Sequence, residues 1–132
     1  ILYDASKEKI HFIDVNRSGH ADYLQDVSVF LISNFRLPVF ESPIREQISQ
    51  MISRFYNFVR RFAEDHDDDT FDVRLTLAVA RSLYTSTRFQ LNSDFVKEMV
   101  LRANFLLEKV IAFYEEGRDW REFKFPEAVL YL

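Results

Sequence analysis

Apolar positions along the chain change their period once. The runs "ILYD" and "KIHFIDV" are rich in Ile, Phe, Val and Tyr and are separated by the polar connector "ASKE". That pattern predicts a β-hairpin over residues 1–15, with the second strand read as buried. From there to residue 132 the pattern is helical. A helix beginning near Asp22 carries Val27, Phe30 and Leu31 at helical spacing and must stop before Pro38, because proline disfavours the α conformation in the residue ahead of it. Ser42 is placed to cap a second helix with Pro43 in its first turn, and Ile44, Ile48, Ile52, Phe55, Val59 and Phe62 form a stripe opposite Arg45, Gln50, Arg54, Asn57 and Arg61. The tract "EDHDDD" ends that stripe and reads as a solvated acidic loop.

Between Phe71 and Phe89 the apolar residues fall on nearly every side, the mark of a central helix packed on more than one face. A last helix runs from a cap at Asn92 or Ser93 to Gly117, with Val96, Met99, Ala103, Leu106, Val110 and Phe113 inward. The aromatic tail "DWREFKFPEAVLYL" is expected to dock back on the body. The expected fold is therefore mainly α, a hairpin followed by a bundle of four or five helices in one unit.

Composition narrows the function classes. Seventeen Lys and Arg against 21 Asp and Glu are spread along the chain without a basic stripe, which argues against nucleic acid as a partner. No apolar run approaches the roughly 18 to 20 residues that span a bilayer, so no membrane partner is expected. The absence of Cys excludes disulfides and thiolate metal sites and fits a cytoplasmic protein. His11, His20 and His66 are scattered without the spacing of a zinc pair. Ile1 and Leu2 read as strand interior with no cap or polar leader, an expectation of a chain that begins inside a larger unit.

The stretch "HFIDVNRSGHADYLQDV" carries the candidate chemistry. Strand alternation puts Phe12 and Asp14 on one face, with Asp14 where the chain leaves the sheet. A carboxylate there either starts a turn or serves as a hard oxygen ligand of the kind Mg²⁺ accepts. Asp22 reads as the cap of the following helix, and Asp26 falls in its first turn. Arg17 is open to three roles: a phosphate contact, a substrate contact, or an ion pair with Asp22. The run Asp65 to Asp69 reads as a solvated loop rather than as a metal site or an anionic patch for a cationic aminoglycoside.

This stretch resembles aminoglycoside phosphotransferases and, more loosely, other protein-kinase-like small-molecule kinases. The shared pattern is Phe12, Ile13, Asp14, Arg17, Gly19, Ala21, Asp22 and Asp26 at fixed spacing. The resemblance covers the first quarter of the chain, and Val15 and Asn16 stand where protein kinases carry Phe-Gly. It implies the carboxy-terminal part of the larger lobe of a kinase-like fold, α+β when whole. It further implies an enzyme that moves a γ-phosphoryl group from ATP, or another nucleoside triphosphate, to a hydroxyl of a small molecule: an aminoglycoside, an amino alcohol or a sugar. Asp14 would bind Mg²⁺ bridging the β- and γ-phosphates, Asp26 would support the catalytic loop, and Gly19 would give the loop its backbone freedom. The catalytic aspartate itself is expected upstream of Ile1, so this chain alone is expected to be inactive. Apolar surface facing the missing part is expected to drive self-association or association with that part. A non-catalytic helical interaction domain, with the carboxylates only as caps and turn residues, is the alternative.

Overall fold

The protein is described by a computed structural model that covers residues 2–13, 19–89 and 92–131. Strands β1 (Leu2–Asp4) and β2 (Lys9–His11) pair antiparallel, Leu2 opposite His11 and Asp4 opposite Lys9. The hairpin closes through Asp4, whose carboxylate accepts from the Ser6 amide at 3.0 Å and the Ser6 hydroxyl at 2.6 Å. Expectation and structure part at burial: every strand residue except Asp4 is exposed, and Phe12 just beyond β2 is 71% exposed. The alternation is genuine, but no helix covers either face of this two-stranded ribbon among the described residues.

Four helices make the body: α1 (Tyr23–Phe35), α2 (Ser42–Asp65), α3 (Phe71–Ser86) and α4 (Ser93–Glu115). α3 packs against both α1 and α4, and α2 lies on α1, so α3 is central as its all-round apolar pattern requires. Leu75, Val79 and Leu83 of α3 meet Leu31 and Ile32 of α1 and Met99, Ala103 and Leu106 of α4 in one core, all with essentially no exposed surface. Each such leucine contributes about 1.5 to 3 kcal/mol by leaving water.

The ends of the helices follow local chemistry. Asn92 caps α4, its side-chain oxygen accepting from the amides of Asp94 at 3.0 Å and Phe95 at 3.1 Å. Gly117 follows α4 with φ of +64°, the left-handed conformation glycine supplies without strain. Ser42 does not cap α2: it is the first helical residue, Glu41 holds the cap position, and no side chain bonds there.

The buried line of α2 is also rotated from the stripe read in the sequence. It runs Arg45, Ile48, Ile52, Tyr56, Val59 and Ala63, while Ile44 and Phe62 are exposed. Arg45, assigned to the wet face, is only 8% exposed. It donates to the Phe35 carbonyl at 2.9 Å and the Leu37 carbonyl at 3.3 Å, oxygens left without helical partners where α1 ends. Burial and then the neighbouring Arg102 lower the Arg45 pKa.

The tail returns to the body as expected. Phe125, Val129 and Leu130 enter the main core, and Phe123 packs with Val73, Phe113 and Trp120 in a smaller cluster. Arg102 on α4 fastens it, donating to the Val129 carbonyl at 2.9 Å and the Tyr131 carbonyl at 2.7 Å. Among the described residues no helix is long and apolar enough to cross a membrane.

Candidate functional site at the start of the first long helix

The segment between β2 and α1 carries the candidate residues. Asp14 and Arg17 lie outside the described residues. Gly19 is exposed, its φ is not in the left-handed region, and a Cβ added there would meet nothing within 4 Å. Neither sterics nor backbone therefore demand glycine at that position.

Asp22 is the N-cap of α1. Its Oδ1 accepts from the Leu24 amide at 3.0 Å, satisfying one of the free donors of the first turn. The same carboxylate receives Arg74 of α3, Nε at 2.9 Å and Nη2 at 3.2 Å. Arg74 reaches further, to Asp68 Oδ1 at 3.1 Å and Oδ2 at 3.0 Å. Burial alone would lower the pKa of this guanidinium, but Asp22 and Asp68 beside it raise it instead. Tyr23 completes the cluster, its hydroxyl donating to Asp68 Oδ2 at 2.7 Å. Burial, then the Asp68 carboxylate, pushes the Tyr23 phenol far above its ordinary range.

The acidic tract is therefore only partly a solvated loop. Asp68 is a half-buried structural acceptor, and Arg74 draws the loop onto the cap of α1. Nothing in the local sequence announced Arg74 or Tyr23 as partners. For Arg74 with Asp22 the sole signal is opposite charge, at a separation of 52 residues; the Tyr23 phenol, neutral and 45 residues from Asp68, carries none.

Around the same loop Glu64, Asp67, Asp69 and Asp72 line a depression of about 270 Å³ with Arg60, Arg121 and Lys124. Cations interleave with the carboxylates: Lys124 stands 3.7 Å from Asp72, and Arg121 bonds Asp119. Among the described residues no group of three or more His, Asp or Glu side chains is placed to hold a metal ion. His66, inside the tract, lies 2.7 Å from the Phe62 carbonyl through Nδ1, and its ring stacks on Phe62. His11 and His20 are exposed.

Asp26 sits in the first turn of α1, exposed, at the rim of an apolar groove between α1 and α2. The structure thus joins Asp22, Tyr23, Asp68 and Arg74 by hydrogen bonds, while Asp26 bonds none of them and shares only the groove wall with Tyr23. No protein-family model, no curated protein and no solved structure matches this chain.

Proposed function

We propose that this chain is the carboxy-terminal part of a kinase-like phosphotransferase acting on small hydroxylated molecules. The observation that carries the reading is the order of elements around the matched residues. An antiparallel hairpin leads through the Phe12-Ile13-Asp14 segment into a helix whose N-cap is the matched Asp22, with the matched Asp26 in its first turn. Asp14 falls in the sequence between this hairpin and this helix, where the resemblance places the Mg²⁺-binding aspartate of phosphoryl transfer.

The residues present fit Mg²⁺ in a limited way. Asp22 is taken up by the α1 amide and Arg74, so the ligand role falls to Asp14, the position the resemblance assigns to it, and Mg²⁺ at phosphate sites accepts one or two protein carboxylates beside water and phosphate oxygens. When bound, the ion supplies charge neutralisation at the β- and γ-phosphates of ATP or a related nucleotide. The acceptor oxygen forms its bond to the γ-phosphorus as the bond to the bridging β–γ oxygen breaks, and the acceptor proton passes to an upstream aspartate. The role of the Asp22–Arg74 contact is to hold α1, and with it the exit from the loop, in one position.

The test is Mg²⁺-dependent nucleotide turnover by a full-length parent protein, wild type against Asp14→Asn, with aminoglycosides, amino alcohols and sugars as acceptors. Asp14→Asn nearly abolishes turnover while circular dichroism stays unchanged, and the 132-residue chain alone is inactive. Undiminished turnover in Asp14→Asn removes the metal-ligand assignment.

A second reading, a non-catalytic helical interaction module, is favoured by the hairpin itself. Leu2, Tyr3, Ile10, Phe12 and Ile13 all stand more than half exposed, an apolar surface that suits a partner, another copy or an upstream portion. A parent that lacks nucleotide turnover yet captures a partner through these residues would establish this reading in place of the first.

A further inference from the structure

We propose that the groove between α1 and α2 binds a small organic ammonium that carries an apolar body. The groove encloses about 360 Å³, within the range of roughly 300 to 1,000 Å³ common for small-molecule sites. Val27 and Val59 form its buried floor. Tyr23, Phe55, Phe58 and Phe62 supply aromatic walls, and Phe58, 60% exposed, leaves its ring open to a ligand.

These walls are braced from behind. Phe55 packs on Phe30 with ring centres 4.3 Å apart, Phe62 stacks on His66 at 4.1 Å, and Tyr23 meets Phe62 edge-on at 5.6 Å. The Tyr23 hydroxyl is tied to Asp68, which fixes that ring as well. Preorganised rings lower the ordering cost of binding.

Charge selects the ligand class. Among the described residues Asp26 is the one charged residue lining the groove, and nothing among them bonds or pairs with its carboxylate. An anion would be repelled there. A neutral apolar molecule would strip water from Asp26 and return nothing. A protonated or quaternary amine answers both surfaces, pairing with the carboxylate and resting on ring faces whose quadrupoles attract cations. This reading makes no use of Asp14, and it gives the Asp26 carboxylate to the ligand in place of the catalytic-loop support that the resemblance implies.

The experiment titrates the intact chain with (4-hydroxyphenyl)trimethylammonium and with its neutral isostere 4-tert-butylphenol, by calorimetry and ligand-observed NMR. The cation binds about threefold to tenfold more tightly than the isostere. Asp26→Asn removes that preference while leaving binding of the isostere intact, and Phe58→Ala weakens both ligands. Both positions are exposed, and far-UV circular dichroism verifies that the variants fold. The proposal is overturned by any of four results: no saturable binding of the cation up to millimolar concentration, equal binding of the two ligands, an Asp26→Asn protein that keeps the preference, or a dimer in sedimentation that Phe58→Glu dissolves. Co-sedimentation with phosphatidylcholine vesicles that the cation does not displace would also overturn it, by assigning the groove to a lipid surface.

Discussion

Arg74, 52 residues beyond Asp22, donates to both oxygens of the Asp22 carboxylate, one of which also caps α1. A single side chain thus serves the first turn of one helix and the packing of another. Asp22→Ala should cost about 1 kcal/mol for the cap. Arg74→Gln should cost a similar amount, since the pair is partly exposed and screened. Their double variant should cost about 0.5 kcal/mol less than the sum, because the two substitutions remove one shared contact. Strict additivity in urea unfolding would show that the contact contributes nothing.

Arg45 gives a sharper expectation. Removing its guanidinium leaves the buried Phe35 carbonyl without this donor, while the Leu37 carbonyl keeps its bond from the Val39 amide. Arg45→Ala should lower stability by about 2 to 3 kcal/mol, read as a shift of the urea midpoint without a change of slope. Surface arginines such as Arg54 serve as controls and should change stability by less than about 0.5 kcal/mol.

Alkaline pH should unfold the protein through its buried phenols. Tyr56, fully buried, has its pKa raised by burial from 10.0 to about 12, and Tyr23 is raised in the same direction. The unfolded phenol ionises first, so between pH 10 and about 12 the folded state binds more protons than the unfolded one. Stability is therefore full below pH 10 and falls as pH rises through that window. Tyr56→Phe should flatten the fall, measured as thermal midpoint against pH; a profile identical to wild type would contradict the assignment.

Arg102 is expected to control the tail. Without its two hydrogen bonds the segment from Phe123 to Tyr131 keeps its apolar contacts but loses its polar fastening. In Arg102→Ala, amides of that segment should exchange with solvent about tenfold faster while α3 amides keep their protection. Equal acceleration across both would mean the substitution destabilises the whole core instead.

The core itself sets the scale. Leu106, with no exposed surface, lies among buried side chains of the main cluster, and Leu106→Ala should cost about 2 to 5 kcal/mol by chemical unfolding.

Much of this fold was readable along the chain because its signals are local. Asp22 and Pro38 bracket α1, Asn92 caps α4, and the all-round apolar pattern marks α3 as central. Arg45 was misplaced because its partners come into being only when the end of α1 meets the start of α2. The stripe on α2 was misjudged for a related reason: a helix with two apolar faces does not declare which one meets the body, and Phe58 and Phe62 turned out to line a groove. The exposure of the hairpin was likewise invisible, since alternation marks a strand without saying what covers it. Of the candidate site, Asp22 could be read as a cap from its chemistry, whereas its bond to Arg74 depends on α3 lying beside α1.

The docked tail has a consequence for how the chain is made. Leu24 and Leu130 share one core, so its first and last described contributions lie far apart along the sequence. All four helices are synthesised before Phe125, Val129 and Leu130 are added. The part of the core that these residues cover can close only once α4 and the tail have both cleared the ribosome, in a synthesis that runs at about 5 to 20 residues per second. Until then the helices that have emerged carry an uncovered apolar floor, which makes the unfinished polypeptide a natural client for a holding chaperone.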